Sequence, residues 1–284
     1  MRATIAARAA RIAARRDPRC DRLPCTRGVR LRKTKEPGVD SNSRSSGRGA
    51  SASALVRAVL FDLDGTLIDT ETHTDAAITV VAARYGVDGF VLPHSETRGR
   101  TWADVAETMR TRAGIRATAP ELAAAMLEYW NEAVQEAKEI PGASRAIRTA
   151  AAAGLRIAVV SSSPRSVIHH FVDKLGIGNC VADTARIGAD SVRRGKPDPE
   201  GFLLAARALG AEPATSLVFE DSRAGLLAAR AAGMRSMFIT CCAAEIPENR
   251  ALATAAFADY TALPAGFWAG LAAGRTDLAA GSLA

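Results

Sequence analysis

The chain has 284 residues, of which 48 % are hydrophobic, so it is long enough and apolar enough to bury a sizeable core. Its formal charge of +7 is unevenly distributed: residues 1–57 contain 15 Lys and Arg against 4 Asp and Glu, whereas the remainder contains 22 against 26. This mildly acidic body argues against a nucleic-acid or membrane-surface partner, and the sequence has no run of 18 apolar residues that could span a membrane.

Residues 1–55 are predicted to be a basic, disordered N-terminal extension, because their Ser/Gly/Arg-rich composition offers little to bury. Three interpretations stay open: an Arg-rich targeting peptide within Met1 to Arg16, an arm that binds nucleic acid, or upstream sequence included by a wrong start site. The segment lacks the apolar core of a secretory signal. An odd count of five cysteines favours a reducing, cytoplasmic location.

From residue 56 onward, short apolar runs alternate with helical patterns, which is typical of a parallel sheet flanked by helices. Strands are predicted at RAVLFD, LRIAVV, TSLVFE and MRSMFI. Helices are predicted at ASRAIRTAAAAG, at SPRSVIHHFVDKLG with Ser163 and Pro164 at its start, at KPDPEGFLLAARALG and at SRAGLLAARAAG. We therefore expect an α/β fold with a Rossmann-like core formed by residues 56–69 and 140–262.

Residues 70–139 interrupt this alternation, because they contain helical patterns and no strand-like run. They are predicted to form an all-helical cap inserted after the first strand. Residues 263–284 are predicted to be a C-terminal tail.

Polar side chains follow three of the predicted strands: Asp62 and Asp64, Ser161 to Ser163, and Glu220 and Asp221. The carboxyl ends of parallel strands meet at one edge of a sheet, so these groups should converge. Clustered carboxylates repel one another unless a cation lies between them, and their hard oxygen atoms suit Mg²⁺. Lys196, between the second and third of these strands, could neutralise phosphate oxygens.

With these residues in place, the sequence resembles the haloacid dehalogenase superfamily. Four motifs of that superfamily occur in order: DLDGT at 62–66, VVSS with Ser161, GKPDP around Lys196, and FEDS at 219–222. The resemblance covers residues 58 to about 240. The helical insertion is similar to the small cap of the branch that contains β-phosphoglucomutase and phosphoglycolate phosphatase.

The resemblance implies that Asp62 is a nucleophile that forms an aspartyl-phosphate and that Asp64 is the general acid and base. Ser161 would bind a phosphoryl oxygen, and Lys196 would offset its charge. The implied Mg²⁺ ligands are Asp62, the backbone carbonyl of Asp64, Asp221 and, through water, Glu220.

The expected substrate-binding residues are Thr66, Thr70, His73, Arg98, Ser162 and Ser163. The resemblance places a basic cap residue over the site, and Arg98 is our candidate, with Arg100 as a competitor and a solvated loop arginine as the alternative. Ser163 could equally be only a helix N-cap. His73 follows the first motif at the expected cap hinge.

The resemblance implies a Mg²⁺-dependent phosphatase of a small phosphorylated metabolite, such as a sugar phosphate or phosphoglycolate. The nearest alternative is a phosphomutase of the β-phosphoglucomutase type, but the histidine of that mutase is replaced here by Thr74. A dehalogenase is disfavoured because Asp64 is present. A catalytically idle regulator is disfavoured because each catalytic position of the motifs holds a residue able to perform its role. We expect a monomer or weak dimer without a nucleic-acid or membrane partner.

Overall fold

The computed structural model describes residues 55–243 and 246–275. Its strands are β1 Ala58–Phe61, β2 Ile68–Asp69, β3 Lys138–Glu139, β4 Arg156–Val160, β5 Arg186–Ile187, β6 Ser216–Glu220, β7 Arg235–Ile239 and β8 Ala255–Phe257. Six of them form a parallel sheet in the order β5-β4-β1-β6-β7-β8. The predicted α/β, Rossmann-like core is confirmed. Apart from Leu55, the predicted N-terminal extension lies outside the described residues.

The helices are α1 Glu71–Arg84, α2 His94–Thr97, α3 Trp102–Ala113, α4 Ala119–Ala133, α5 Ala143–Ala152, α6 Arg165–Lys174, α7 Glu200–Ala208, α8 Arg223–Ala231, α9 Ile246–Arg250 and α10 Phe267–Ala272. The helices α5 to α8 connect successive strands of the parallel sheet, as the alternating pattern predicts. Within the described ranges, none of these helices combines the length and apolar character needed to cross a membrane.

Strand β1 lies in the middle of the sheet, and this position explains its unbroken apolar sequence. All four of its residues are buried, as expected for a strand covered on both faces. Phe61 is paired with Val159 of β4 on one side and with Phe219 of β6 on the other. The Phe61 and Phe219 rings stack with their centroids 5.1 Å apart. The chain segments that follow these two phenylalanines therefore leave the sheet side by side.

The helical insertion starts and ends at a small antiparallel ribbon, in which Ile68 of β2 pairs with Glu139 of β3. Helices α1 to α4 lie between these two strands in the sequence. Capping boxes begin α3 at Thr101 and α4 at Thr118, which fixes where the two helices start. The buried Trp130 of α4 contacts Trp102 edge-on at 5.9 Å. A helical insertion is present as predicted, and its role as a cap stays a prediction.

The last part of the described chain packs against the core, although we predicted a tail from residue 263. Phe267, Trp268 and Leu271 of α10 are buried. The centroid of the Trp268 ring lies 5.5 Å from that of Phe219 in strand β6, which leads into the site. A helix this short offers too few turns for its apolar spacing to be recognised in the sequence. The rest of the predicted tail, 276–284, lies outside the described residues.

Candidate active site

Asp62 and Asp64 follow β1, and their carboxylates have different surroundings. The Asp62 backbone N–H donates to the Phe219 carbonyl at 3.0 Å, which extends the sheet by one residue. The Asp64 carboxylate accepts hydrogen bonds from three hydroxyl groups: Thr70 at 3.0 Å, Ser161 at 2.8 Å and Ser163 at 2.9 Å. These bonds fix the orientation of the Asp64 carboxylate and leave Asp62 to other partners.

Lys196 joins Asp62 to Glu220. Its Nζ donates to Asp62 Oδ1 and to Glu220 Oε1, both at 2.5 Å, and only 6 % of the residue is exposed. Burial by itself would lower the pKa of Lys196, but the attraction of the two carboxylates outweighs burial and raises that pKa above its usual value. Lys196 therefore carries a fixed positive charge beside Asp62.

Asp62, Glu220 and Asp221 form a buried cluster that can hold a metal ion. One oxygen atom from each lies within 4.8 Å of those of the other two. Asp221 Oδ2 is buried and has no hydrogen-bond partner among the described residues. A buried carboxylate oxygen without a partner is costly unless a cation binds it, so these three residues fit a hard divalent ion.

The pKa values of the cluster show the same need for a cation. Burial raises the pKa of Asp62 to about 8, against the opposing effect of Lys196, and the neighbouring carboxylates add to the rise. Burial, followed by the charge of Glu220, also raises the pKa of Asp221 well above its usual value. A bound divalent cation would favour the charged forms of both carboxyl groups.

Two glycines allow the backbone to pass close to the cluster. Gly65 has a φ of +78°, and a Cβ there would lie 2.2 Å from Asp221 Oδ2. A Cβ on Gly225, near the start of α8, would lie 1.7 Å from Glu220 Oε1. The other Glu220 oxygen accepts hydrogen bonds from the Ser222 backbone at 2.7 Å and hydroxyl at 2.9 Å. Our sequence analysis assigned no role to Gly225 or to Ser222, whose contribution depends on distances that the sequence does not give.

A cavity opens above Asp62 and Asp64, between them and the helical insertion. It is lined by Asp62, Asp64, Glu71, Thr74, Thr97, Arg98, Gly99, Arg100, Trp102, Val105, Trp130, Ser162 and Ser163. Both candidate arginines therefore reach it. His73 is not part of this lining, and the next residue, Thr74, is.

Arg98 is held from two sides. Its Nε lies 3.1 Å from Glu71 Oε2, and its Nη1 donates to the backbone carbonyl of Cys242. The Arg98 side chain is 11 % exposed and that of Glu71 is 7 % exposed, so this contact is almost buried. Arg98 is thus an oriented part of the cavity wall, which disagrees with the alternative of a solvated loop arginine.

Glu71 is a cavity residue that our sequence analysis missed. Burial raises the pKa of Glu71 to about 8, although Arg98 opposes this rise. As the first residue of α1, Glu71 resembles an ordinary acidic residue of a helix N-terminus, a position that usually faces solvent. The signal that the sequence offered for Glu71 was its position directly after Thr70, one of the predicted substrate-binding residues.

Of the remaining predicted residues, Ser162 and Ser163 line the cavity and Thr66 does not. Ser162 lies at the cavity and donates to the Gly99 carbonyl at 2.8 Å, which links the core to the insertion. Thr66 is fully buried and donates to Asp221 Oδ1 at 3.3 Å, so it contacts the carboxylate cluster and is not part of the cavity lining. Ser163 is not the N-cap of α6, since Pro164 occupies that position and the Ser163 hydroxyl bonds Asp64.

Comparison with known protein families identifies the family to which this fold and this site belong. Residues 56–233 match the family described as haloacid dehalogenase-like hydrolase. The chain belongs to this family. The haloacid dehalogenase-like match begins before β1 and ends after α8, so it contains every residue of the carboxylate cluster together with Lys196.

Two relatives of this chain are named as phosphatases. A validoxylamine A 7′-phosphate phosphatase of Streptomyces hygroscopicus subsp. limoneus is 33 % identical over 191 residues, which cover 66 % of this chain and 86 % of the relative. A phosphorylated carbohydrates phosphatase of Thermotoga maritima is 29 % identical over 191 residues, covering 64 % and 84 %. These relatives support assignment of the chain as a phosphoric monoester hydrolase.

A solved structure of β-phosphoglucomutase from Clostridium difficile has the same fold. It superposes with a TM-score of 0.65 over 77 % of this chain and 98 % of that chain. At 20 % sequence identity, this likeness concerns the fold alone and does not distinguish a mutase from a phosphatase.

Proposed function

We propose that this protein is a Mg²⁺-dependent phosphatase that hydrolyses a small phosphorylated metabolite through an aspartyl-phosphate on Asp62. The observation that carries the proposal is the difference between the two aspartates. Asp64 is held by three hydroxyl groups, whereas Asp62 lies against Lys196 and the carboxylate cluster. This difference supports one nucleophile and one separately oriented proton-transfer group.

In the first step, an Asp62 carboxylate oxygen attacks phosphorus, and the bond from phosphorus to the leaving oxygen breaks. Asp64 gives its proton to that oxygen, so that a neutral alcohol departs. In the second step, Asp64 takes a proton from water as the water oxygen attacks phosphorus, and the bond to Asp62 breaks to release inorganic phosphate. Lys196 offsets the negative charge beside Asp62 throughout.

Mg²⁺ would be held by Asp62, Asp221, the Asp64 carbonyl and, through water, Glu220, and it would offset charge on the phosphoryl oxygens when bound. The unpartnered Oδ2 of Asp221 supports this assignment. Ser161 and Ser163, which reach Asp64 from the end of β4, are proposed to contact a phosphoryl oxygen as well. We propose the same for Ser162, with Thr66 and Thr70 acting through the carboxylates that they bond.

We propose a phosphorylated carbohydrate or a compound of similar polarity as the substrate. The Arg98 guanidinium and the Trp102 ring line the same cavity, which would suit a polar ring compound. The names of the two relatives support this class. His73 lies outside the cavity lining, so a contact from it to substrate would need a different arrangement of the insertion.

The structure favours hydrolysis over phosphoryl transfer within a mutase cycle. Thr74, at the position of the mutase histidine, lines the cavity. Its hydroxyl donates to the Thr70 carbonyl at 3.3 Å and accepts from the Trp130 indole at 3.2 Å. Thr74 is therefore engaged within the protein and offers no imidazole to keep water from the phosphoenzyme. We further propose that the enzyme acts in the cytoplasm as a monomer or weak dimer.

The test is a screen of phosphate monoesters, including sugar phosphates and phosphoglycolate, for release of inorganic phosphate with Mg²⁺. We expect turnover of at least one carbohydrate monophosphate, and loss of it in Asp62→Asn. Asp75→Asn is the matched control, since Asp75 is also acidic but is 42 % exposed and pairs with His94. Release of phosphate by Asp62→Asn at more than about a tenth of the wild-type rate would contradict the proposal.

A further inference from the structure

Cys241 and Cys242 are adjacent residues in the loop after β7, and the proposed phosphatase reaction uses neither thiol. Their sulfur atoms lie 3.8 Å apart. Cys241 is exposed and Cys242 is half-buried, so a reagent in solution can reach the pair through Cys241. We propose that this pair is a reversible oxidation site, at which a low-molecular-weight disulfide closes a bond between the two sulfurs and thereby disturbs Arg98.

The reaction is two successive thiol–disulfide exchanges. The Cys241 thiolate attacks one sulfur of the small disulfide, its S–S bond breaks, and one small thiol departs. Cys242 then loses its proton and attacks the Cys241 sulfur, which expels the second small thiol. The protein loses two hydrogens, and the small disulfide gains them. The thiol of Cys242 lowers the pKa of Cys241 by hydrogen bonding, which favours Cys241 as the first attacking group.

Closing this bond requires the loop backbone to change. Adjacent α-carbons are about 3.8 Å apart across a trans peptide, below the roughly 4.4–6.8 Å usual in disulfides. The side of the loop that precedes the pair is anchored, because the Thr240 and Cys241 N–H groups donate to the Phe257 and Ala258 carbonyls, both at 2.9 Å. On the other side, the Ala243 N–H donates to the Thr240 carbonyl at the longer distance of 3.3 Å, so we expect the change to fall on Cys242. A strained disulfide is also easier to reduce, which suits a reversible site.

The Cys242 carbonyl is the acceptor for the Arg98 guanidinium. Moving that carbonyl would leave Arg98 held by Glu71, at 3.1 Å, and by the charge of Asp221. Because Arg98 lines the cavity, its displacement should weaken substrate binding. This consequence for catalysis, unlike formation of the bond, rests on the proposed function.

The bond itself is tested on the full chain with glutathione disulfide, followed by alkylation, trypsin digestion and mass spectrometry. Cleavage after Arg235 and Arg250 leaves both cysteines in one peptide. We expect that peptide to lose two hydrogens and to resist alkylation until dithiothreitol is added. Cys180→Ser should behave like wild type, and Cys241→Ser should not close the bond. Alkylation of both thiols, glutathione retained on Cys241, or pairing with Cys20, Cys25 or Cys180 would overturn the proposal.

The effect on the site is tested by steady-state kinetics of the same samples. If the displaced Arg98 loses one charge-assisted hydrogen bond to substrate, KM should rise roughly tenfold, with a smaller change in kcat. Dithiothreitol should restore KM, and Cys241→Ser should show no response to glutathione disulfide. An unchanged KM in protein whose bond is proven by mass would refute the link to Arg98. If no substrate is turned over at all, the proposed function fails, while the mass measurement still decides whether the bond forms.

Discussion

Gly65 lets the backbone between Asp64 and Thr66 pass beside Asp221, and this close approach tests the carboxylate cluster. In Gly65→Ala, the new Cβ would lie 2.2 Å from Asp221 Oδ2 at a φ of +78°, so the carboxylate must move. We expect the Mg²⁺ concentration for half-maximal activity to rise roughly tenfold or more. The loss of stability should also exceed the roughly 1–2 kcal/mol of an unfavourable backbone conformation. Magnesium titration and thermal denaturation measure the two effects.

The control is Gly86→Ala. Gly86 has a φ of +83°, but a Cβ there meets no atom within 4 Å. This variant should lose stability through its backbone alone and keep the wild-type Mg²⁺ dependence. Equal Mg²⁺ dependence in the two variants would mean that the approach to Asp221 is unimportant.

The buried carboxyl group of Glu71 should make the free energy of unfolding depend on pH. Its pKa is about 8 in the folded protein and 4.5 in an unperturbed glutamate. The folded state therefore binds more protons between these two values, and its stability falls as the pH rises through this window. In Glu71→Gln this contribution is absent, so the variant should gain stability relative to wild type from pH 4.5 to 8. Denaturant unfolding at several pH values measures the difference, and a constant difference would contradict the assignment.

Among single residues, those of the motifs were predictable and those of the cavity wall were not. Asp62, Asp64 and Lys196 follow strands or lie in a recognisable motif, so topology alone indicated that they would meet. The role of Glu71 in the cavity was recognised only in the structure, where this residue is buried against Arg98. The Ser163 hydroxyl was assigned two possible uses, and only the structure showed that it bonds Asp64 and leaves the N-cap to Pro164.

At the scale of elements, the length of an element decided whether we could predict it. The four strands with clear apolar runs were predicted correctly. The two-residue strands β2, β3 and β5 and the three-residue strand β8 were missed, because so short a segment shows no periodicity and is defined by its pairing partner. The same limit applies to α10, which we assigned to a tail.

Helix α10 provides a prediction about stability. Trp268 is 6 % exposed, and its ring contacts those of Phe61 and Phe219, which lie in the central strands β1 and β6. Trp268→Ala should destabilise the protein by about 3–5 kcal/mol in denaturant unfolding, because it leaves a large cavity. Ala269→Ser, on the exposed face of the same helix, is the control and should be nearly neutral. A small effect of Trp268→Ala would show that α10 is not part of the core.

For the whole molecule, the sequence predicts that the N-terminal segment is dispensable for catalysis. The residues of the candidate site lie between positions 62 and 242, and residues 1–54 are basic and poor in aromatic side chains. Removing residues 1–54 should therefore leave kcat and the thermal midpoint nearly unchanged. A large loss of either, measured on full-length and truncated protein side by side, would mean that this segment contributes to the folded enzyme.

The distinction between phosphatase and mutase also belongs to the whole molecule, because a mutase must turn a bisphosphate around under its insertion. With Thr74 bonded to Trp130, we expect water to reach the phosphoenzyme. β-Glucose 1-phosphate with a trace of bisphosphate primer should therefore yield no detectable glucose 6-phosphate. Isomerisation faster than phosphate release, measured by a coupled assay, would favour the mutase.

Trapping the phosphoenzyme tests the central claim most directly. Wild-type protein is mixed with Mg²⁺ and a substrate carrying labelled phosphate, quenched in acid within one turnover, and digested with trypsin. We predict label on the peptide of residues 58–84, which contains Asp62, and its release by hydroxylamine, as expected of an acyl phosphate. Asp62→Asn and samples with chelator should carry no label. Turnover without any labelled protein, or label retained in Asp62→Asn, would contradict the account.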